Sequence, residues 1–320
     1  MASKSTADTD EEKKNEETET KGPFSDPVFK QLSRINGEIN KMTVNELRGR
    51  LNSLKLDTRG TKEVLKKRMK NHYKKIKLAK SKVRDPLASK LYHYFCIIDF
   101  EATCEAHNQP NYKHEIIEFP AVLINVEDRK IVSEFHEYCQ PLINPKLSDF
   151  CSDLTGITQG TVKAALPFPE VLKKFEKWLA DHKHSYAVIT DGPWDMSRFL
   201  AMQCDISNIP YPKFAKKWVN IRKIFTCFYQ SKRLNLKQML EFLGLAFEGR
   251  PHCGLDDARN IGRIVLHLLN DGANIRINER IDLSSNEESS NRQTVYLTIR
   301  TESQSSLEKK QSTEDEDEKI

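Results

Sequence analysis

Asp99 and Glu101 close an apolar run in Ile97-Ile98-Asp99-Phe100-Glu101-Ala102-Thr103. In a strand over 94–100 side chains alternate between faces, so the two acids project together from its end. Bare carboxylates are costly to bury side by side, and a divalent cation is their usual partner. More acids stand at expected element ends. Asp195 lies in Thr190-Asp191-Gly192-Pro193-Trp194-Asp195, and Asp256 and Asp257 lie in Pro251-His252-Cys253-Gly254-Leu255-Asp256-Asp257. Metal-dependent phosphodiester hydrolysis uses such a set: carboxylates to hold two ions roughly 3.5–4 Å apart, and a group to activate water. Taken singly, each downstream acid could equally be a helix cap, since helix N-termini favour negative charge. Spacing alone leaves Asp191 against Asp195, and Asp256 against Asp257, undecided.

Those residues need a sheet to hold them. Strands are expected over 94–100, 116–125 and 130–139. An amphipathic helix over 170–180, a short strand over 186–190, a helix from about Asp195, a strand near 218–221 and two more helices follow. Three strands and then alternating helix and strand predict an α/β domain over 92–277, a mixed β-sheet flanked by helices. Residues 293–300 alternate weakly, as a strand without assigned function.

The charge is unevenly spread. Charged residues make up 30% and hydrophobic ones 38% of the 320, which is low for one compact core and predicts polar tails. Residues 1–23 and 278–320 are acidic and expected to be largely disordered. Between residues 30 and 90, 19 Lys/Arg face 5 Asp/Glu, a net of +14 that marks a polyanion-binding module. Within it Thr43-Val44-Asn45-Glu46 is a capping box. Leu47, Leu51 and Leu54 follow at helical spacing, and Asp57-Thr58-Arg59-Gly60 breaks the helix. Thr61 opens a second helix whose Val64, Leu65 and Met69 face inward among Lys62, Lys66, Lys67, Arg68 and Lys70. This unit is placed at 24–80, with a linker over 81–91. No apolar run approaches the roughly 18 residues of a membrane span, so no membrane partner is expected. The N-terminus lacks a signal core. Seven cysteines without a CxxC pair read as reduced thiols of the cytosol or nucleus.

Two resemblances add to this reading. Leu-x-x-x-Leu…Gly-Thr-Lys-x-x-Leu-x-x-Arg resembles a SAP domain, a small helical nucleic-acid-binding module. It implies RNA contacts from Lys66, Lys67 and Arg68. Asp-x-Glu after an apolar strand, a mid-chain Asp and His-x-x-x-x-Asp resemble the DEDDh branch of the RNase H-like 3′–5′ exonucleases. Glu118-Phe119-Pro120 and Leu154-Thr155-Gly156-Ile157-Thr158 support the match. That resemblance implies Asp99, Glu101, Asp195 and Asp257 as metal-binding acids. It makes Glu101 and His252 catalytic, with His252 the general base; an imidazole's ordinary pKa near 6.5 suits that task. Asp256 is then a helix-start acid and Asp191 a turn acid. Phe150 and Trp194 become base-stacking residues, with core packing as the alternative for each. Cys104 and Cys253 read as small buried residues beside the site. Glu101, Ala102 and His252 would also touch substrate, with the backbone at 101–102 meeting a 2′-OH.

The pairing of the two modules, with FSDPVFK, LSDFC, PFAKKW, NIRK and GRPHCGLDD, is similar to the exoribonucleases that trim histone mRNA 3′ ends. This implies a metal-dependent 3′–5′ exoribonuclease that uses two Mg²⁺ ions, or Mn²⁺, and releases nucleoside 5′-monophosphates. The implied substrates are structured RNAs with short 3′ overhangs: the histone mRNA stem-loop shared with the stem-loop-binding protein, the 3′ end of ribosomal 5.8S rRNA, and siRNA. The implied location is cytoplasm, nucleus and nucleolus. A DNA exonuclease of the same fold and a non-catalytic RNA-binding protein are the alternatives.

Overall fold

The computed structural model describes residues 24–85, 92–283 and 294–296. The expected N-terminal tail, most of the linker, and residues 284–293 and 297–320 of the expected C-terminal tail lie outside the described residues.

Three helices come first: α1 (Pro27–Lys41), α2 (Val44–Ser53) and α3 (Lys62–Ser81). The Thr43 capping box forms as expected, with Glu46 N–H donating to Thr43 Oγ1 and Thr43 N–H to Glu46 Oε2 at 2.7 Å. Helix α1 is additional to the two helices expected: Asp26 caps it, Pro27 sits in its first turn, and Val28, Leu32 and Ile39 are buried. Helix α3 is longer than the short second helix expected. Leu47, Leu51, Leu65 and Met69 close a small core of their own, whereas Val64 packs into the core of the following domain.

That domain is built on a sheet of β1 (Tyr94–Ile98), β2 (Glu101–Ala102), β3 (Ile116–Asn125), β4 (Lys130–Gln140), β5 (Leu166–Pro167), β6 (Tyr186–Thr190), β7 (Lys217–Asn220), β8 (Glu279–Ile281) and β9 (Thr294–Tyr296). Its order is β5-β4-β3-β1-β6-β7-β8-β9, with β2 paired to β3. Strands β1, β6 and β7 run parallel, while β3 and β4 join as an antiparallel hairpin. The mixed sheet is therefore as expected. It extends beyond residue 277, because β8 pairs with β7 and Ile281 enters the core.

Helices α4 (Asp149–Thr155), α5 (Gln159–Ala164), α6 (Phe168–Ala180), α7 (Ala201–Ile206), α8 (Ile221–Tyr229), α9 (Leu236–Leu243) and α10 (Gly254–Asp271) surround the sheet. The short helices α4 and α5 fall where no element was expected. One face of the sheet packs on α8, α9 and α10 through Phe95, Ile97, Val122, Phe225, Leu240, Ile261 and Val265. The other packs on α6 and α7 through Ile98, Phe119, Phe175, Ala201, Cys204 and Trp218. Both faces are covered, which is why Ile116–Asn125 reads as a nearly continuous apolar run. No helix among the described residues is long and apolar enough to cross a membrane.

Candidate active site

The parallel strands β1 and β6 end side by side, the usual place for a site in such sheets. Strand β1 stops at Ile98, not at Phe100 as alternation predicts. Continuing the β1–β3 register sets Asp99 opposite Pro120, which has no N–H to donate. The chain pairs again only at Glu101, opposite Glu118, and the register then shifts between Glu101 and Ala102. Asp99 and Glu101 are thus brought to one cleft by a broken, bulged strand end rather than by simple alternation.

Asp195 opens a π-helical turn over Asp195–Leu200, a form that collects at functional sites. It is buried, and its Oδ1 accepts the Phe100 N–H at 2.9 Å, locking it to the segment between the first two acids. Asp191 instead pairs with Arg222.

His252 and Asp257 arrive on a tightly tied loop. Gly249 has a φ of +86°, which allows the turn, and His252 itself has a φ of +62°. The His252 N–H donates to Asp257 Oδ2 at 2.8 Å. The neighbouring Asp256 faces elsewhere, accepting the Arg250 N–H at 3.0 Å and the Arg259 guanidinium at 3.2 Å. Arg250 reaches across to donate to the Asp153 carbonyl and lies against Gly156, the left-handed end of α4. This contact gives the Leu154–Thr158 motif a structural reason.

Glu101, His252 and Asp257 present ligand atoms that all lie within 4.8 Å of one another. Asp99 and Asp195 border them. The crowding shows in their proton affinities. Burial, then Asp195 and Asp257, hold the Asp99 carboxyl well above its usual range. Burial and the facing Glu118 push Glu101 up to about 9. Burial raises Asp195 to about 7 despite the Phe100 N–H, and Asp257 to about 7 despite the His252 N–H. Four carboxylates that resist ionising together, with one imidazole, form an oxygen-rich donor set suited to hard divalent cations.

Glu118, a motif residue in the sequence, has a structural role. It is 1% exposed, and it accepts the Gly254 N–H at 3.0 Å and the Leu255 N–H at 3.4 Å, capping α10. His136 Nε2 lies 2.7 Å from its Oε1. A Cβ on Gly254 would meet the Asp99 carbonyl at 2.7 Å and Pro120 at 2.9 Å, so only glycine lets α10 approach β1 this closely. The signal available in the sequence was an acid, Glu118, inside the apolar run of β3, since a buried carboxylate must find donors.

Trp194 and Phe150 are 55% and 43% exposed, so neither is core packing. Trp194 lines the cleft, with the Arg198 guanidinium 4.7 Å from its ring centre. Phe150 lies on α4, outside the cleft lining. Ser148 ties the start of that helix to β2's exit by donating to the Cys104 carbonyl at 2.7 Å. Ala102 is partly exposed beside it. Cys104 and Cys253 are only half-buried, contrary to expectation.

Arg68 departs most from the sequence reading. It does not face outward to RNA. It is 7% exposed, and its guanidinium donates to Asp271 and to the Asp57 and Arg59 carbonyls. The physical reason is that α3 docks on α10, and a helix's charge pattern does not reveal which face meets a second domain. Lys67 is half-covered by the Phe228 ring, 4.9 Å away, and Lys66 stays partly exposed.

A helical unit on an RNase H-like sheet, with an Asp–Glu–Asp–Asp set and a histidine at the strand ends, defines a SAP-linked DEDDh exonuclease. Residues 96–265 match the exonuclease family and residues 38–74 the SAP domain. The chain is 52% identical over 270 residues to human 3′–5′ exoribonuclease 1, covering 82% of this chain and 77% of that one. It is 36% identical over 267 residues to the 3′–5′ exonuclease eri1 of Schizosaccharomyces pombe, covering 74% and 90%. Its fold matches a 3′-exonuclease solved for its recognition of the histone mRNA stem-loop, with a TM-score of 0.63, 48% identity and coverage of 87% and 95%. It also matches the rAMP-bound nuclease domain of 3′hExo, a DEDDh member, with a TM-score of 0.59, 52% identity and coverage of 60% and 100%. The chain belongs to the 3′–5′ exoribonuclease family, whose DEDDh fold uses divalent metal.

Proposed function

We propose that this exoribonuclease trims short 3′ overhangs of structured RNA with two Mg²⁺ ions held by Asp99, Glu101, Asp195 and Asp257. The observation that carries the reading is the gathering of Glu101, His252 and Asp257 within 4.8 Å, in a cleft that Asp99 and Asp195 also line. When bound, such ions screen the phosphate and make water easier to deprotonate.

The chain's own groups do the rest. His252, held at the cleft mouth by its backbone bond to Asp257, takes the proton of the attacking water. Glu101 holds its carboxylate toward the same point. Asp195 keeps the Phe100 N–H paired, so the segment between Asp99 and Glu101 does not drift. Trp194 offers an open ring face to the terminal base, worth about 1–3 kcal/mol per base and indifferent to its identity. Phe150 is the second stacking surface. The backbone at Glu101 and Ala102 meets the 2′-OH, the group that separates RNA from DNA.

The histone mRNA stem-loop, which the related 3′-exonuclease recognises, is the first substrate to test. The 3′ end of 5.8S rRNA and an siRNA duplex are further arms, and the stem-loop-binding protein is the partner to add. End-labelled stem-loop RNA with an overhang, unstructured RNA and DNA are incubated with Mg²⁺, Mn²⁺ or EDTA. The expected result is 3′–5′ release of 5′-monophosphates from RNA, arrested near the stem and abolished by EDTA. Equal digestion of DNA, or digestion in EDTA, would overturn the reading.

A further inference from the structure

The α8–α9 wall of the cleft carries cations that this chemistry does not use. We propose that Arg233 and Lys237 form a phosphate-binding step that holds the RNA backbone upstream of the bond being cut. The proposal rests on the exoribonuclease reading above.

The argument begins with charge. Four ionised carboxylates and two divalent ions sum to zero, so the reaction centre offers nothing to the phosphates that follow the scissile one. The chain leading away from the centre needs its own counter-charge. Arg233 and Lys237 line the same cleft of about 910 Å³ as the acids. Four other cations of the domain are neutralised. Arg222 pairs with Asp191, Lys223 lies 3.1 Å from Glu279, Arg259 lies 2.7 Å from Glu134, and Arg263 lies 2.8 Å from Glu248. Among the described residues, neither Arg233 nor Lys237 has an ion-pair partner, and both are exposed.

Continuity is the second observation. A smaller cavity of about 320 Å³ shares Pro193, Arg222 and Arg233 with the cleft and runs along α8 to Thr226 and Cys227. One residue beyond, Phe228 lies under the Lys67 ammonium of α3. At the far end of α9, the Thr61 N–H donates to the Phe242 carbonyl at 3.0 Å, fixing the start of α3 there. Helix α9 has eight residues, so roughly 12 Å separates its cleft end from the SAP unit. The step therefore sits between the reaction centre and the basic helix. Arginine suits it, because a guanidinium fork matches phosphate oxygens in pairs.

The test compares chain lengths. Arg233→Glu with Lys237→Glu is assayed with Mg²⁺ on a diribonucleotide, which has only the scissile phosphate, and on an unstructured 12-mer. The expected loss in kcat/KM is under about twofold on the dinucleotide and at least about tenfold on the 12-mer. The salt dependence of 12-mer binding should fall in slope by about 1–2. Equal loss on both lengths, or no loss on the 12-mer, would overturn the step. If the wild-type chain cut neither RNA, the exoribonuclease reading would fail, and 12-mer binding by the same variant would still decide the step: unchanged affinity sinks it.

Discussion

Arg68 Nε donates to Asp271 Oδ1 at 2.9 Å, and this buried pair joins the helical unit to the nuclease domain. Tyr229 Oη adds a donor to Asp271 Oδ2 at 2.8 Å, so the carboxylate is held from both domains. Burial raises the Asp271 carboxyl above its usual range, while Arg68 and then the Tyr229 hydroxyl pull it back down. The two domains are consequently one packed body at this seam.

Arg68→Met should lower stability by about 3–5 kcal/mol, because it leaves the buried Asp271 carboxylate without its cation. The double variant Arg68→Met/Asp271→Leu should recover most of that loss. Urea unfolding of the two variants checks it. A single variant as stable as wild type would show that the seam does not depend on this pair.

Stability should depend on pH through the metal site. A carboxyl whose folded pKa lies above its unfolded value near 4 binds protons in the folded chain that the unfolded chain has released. Asp195 and Asp257 near 7 and Glu101 near 9 all have this sign. In EDTA, their contribution is therefore full below about pH 4 and lost as pH rises from about 4 to about 9. Mg²⁺ replaces those protons, so the gap between Tm with Mg²⁺ and Tm with EDTA should widen between pH 5.5 and 8. A gap that narrows over that range would contradict the assignment.

Asp99→Asn should reduce hydrolysis to background while raising Tm in EDTA, since it removes one of several repelling charges. Stability gained at the cost of activity is the signature of a strained functional site. A destabilised Asp99→Asn in EDTA would mean that the acids are held by contacts other than a cation.

His252→Ala should slow the chemical step by about 10²–10⁴-fold. Asp257→Ala should be at least as severe, and Asp256→Ala should cost only a few-fold, through a looser Arg250 turn. Single-turnover rates at saturating RNA separate these effects from binding. The reverse order for the two aspartates would move the fourth acid to Asp256.

Glu118→Gln should keep RNA affinity but lower kcat and raise the Mg²⁺ concentration needed for half activity. A carboxamide keeps one acceptor oxygen where the carboxylate supplied two, so α10 loses a cap and His252 and Asp257 lose their fixed approach. Gly254→Ala should act more strongly in the same direction. An unchanged Mg²⁺ requirement in both variants would show that the cap does not position the site.

Much of this protein is local, and local features were legible in the sequence. The Thr43 capping box, the buried run Ile116–Asn125 and the strand Tyr186–Thr190 each state their form in composition and period. The order Asp-x-Glu, Asp, His-x4-Asp could be read because these residues serve as ligands and acid–base groups, and such roles restrict residue type. Helix α1 carries a signal of the same kind in Val28, Leu32 and Ile39. Tertiary structure alone decided the rest. Asp257 enters the cluster while Asp256 turns away, because the first turn of a helix points adjacent side chains about 100° apart and only the β1–α10 packing chooses between them. Asp99 and Glu101 meet at a broken strand, because Pro120 lies across from it on β3. Arg68 becomes a buried tie rather than an RNA contact, because its partner stands 203 residues away and only folding brings the two together.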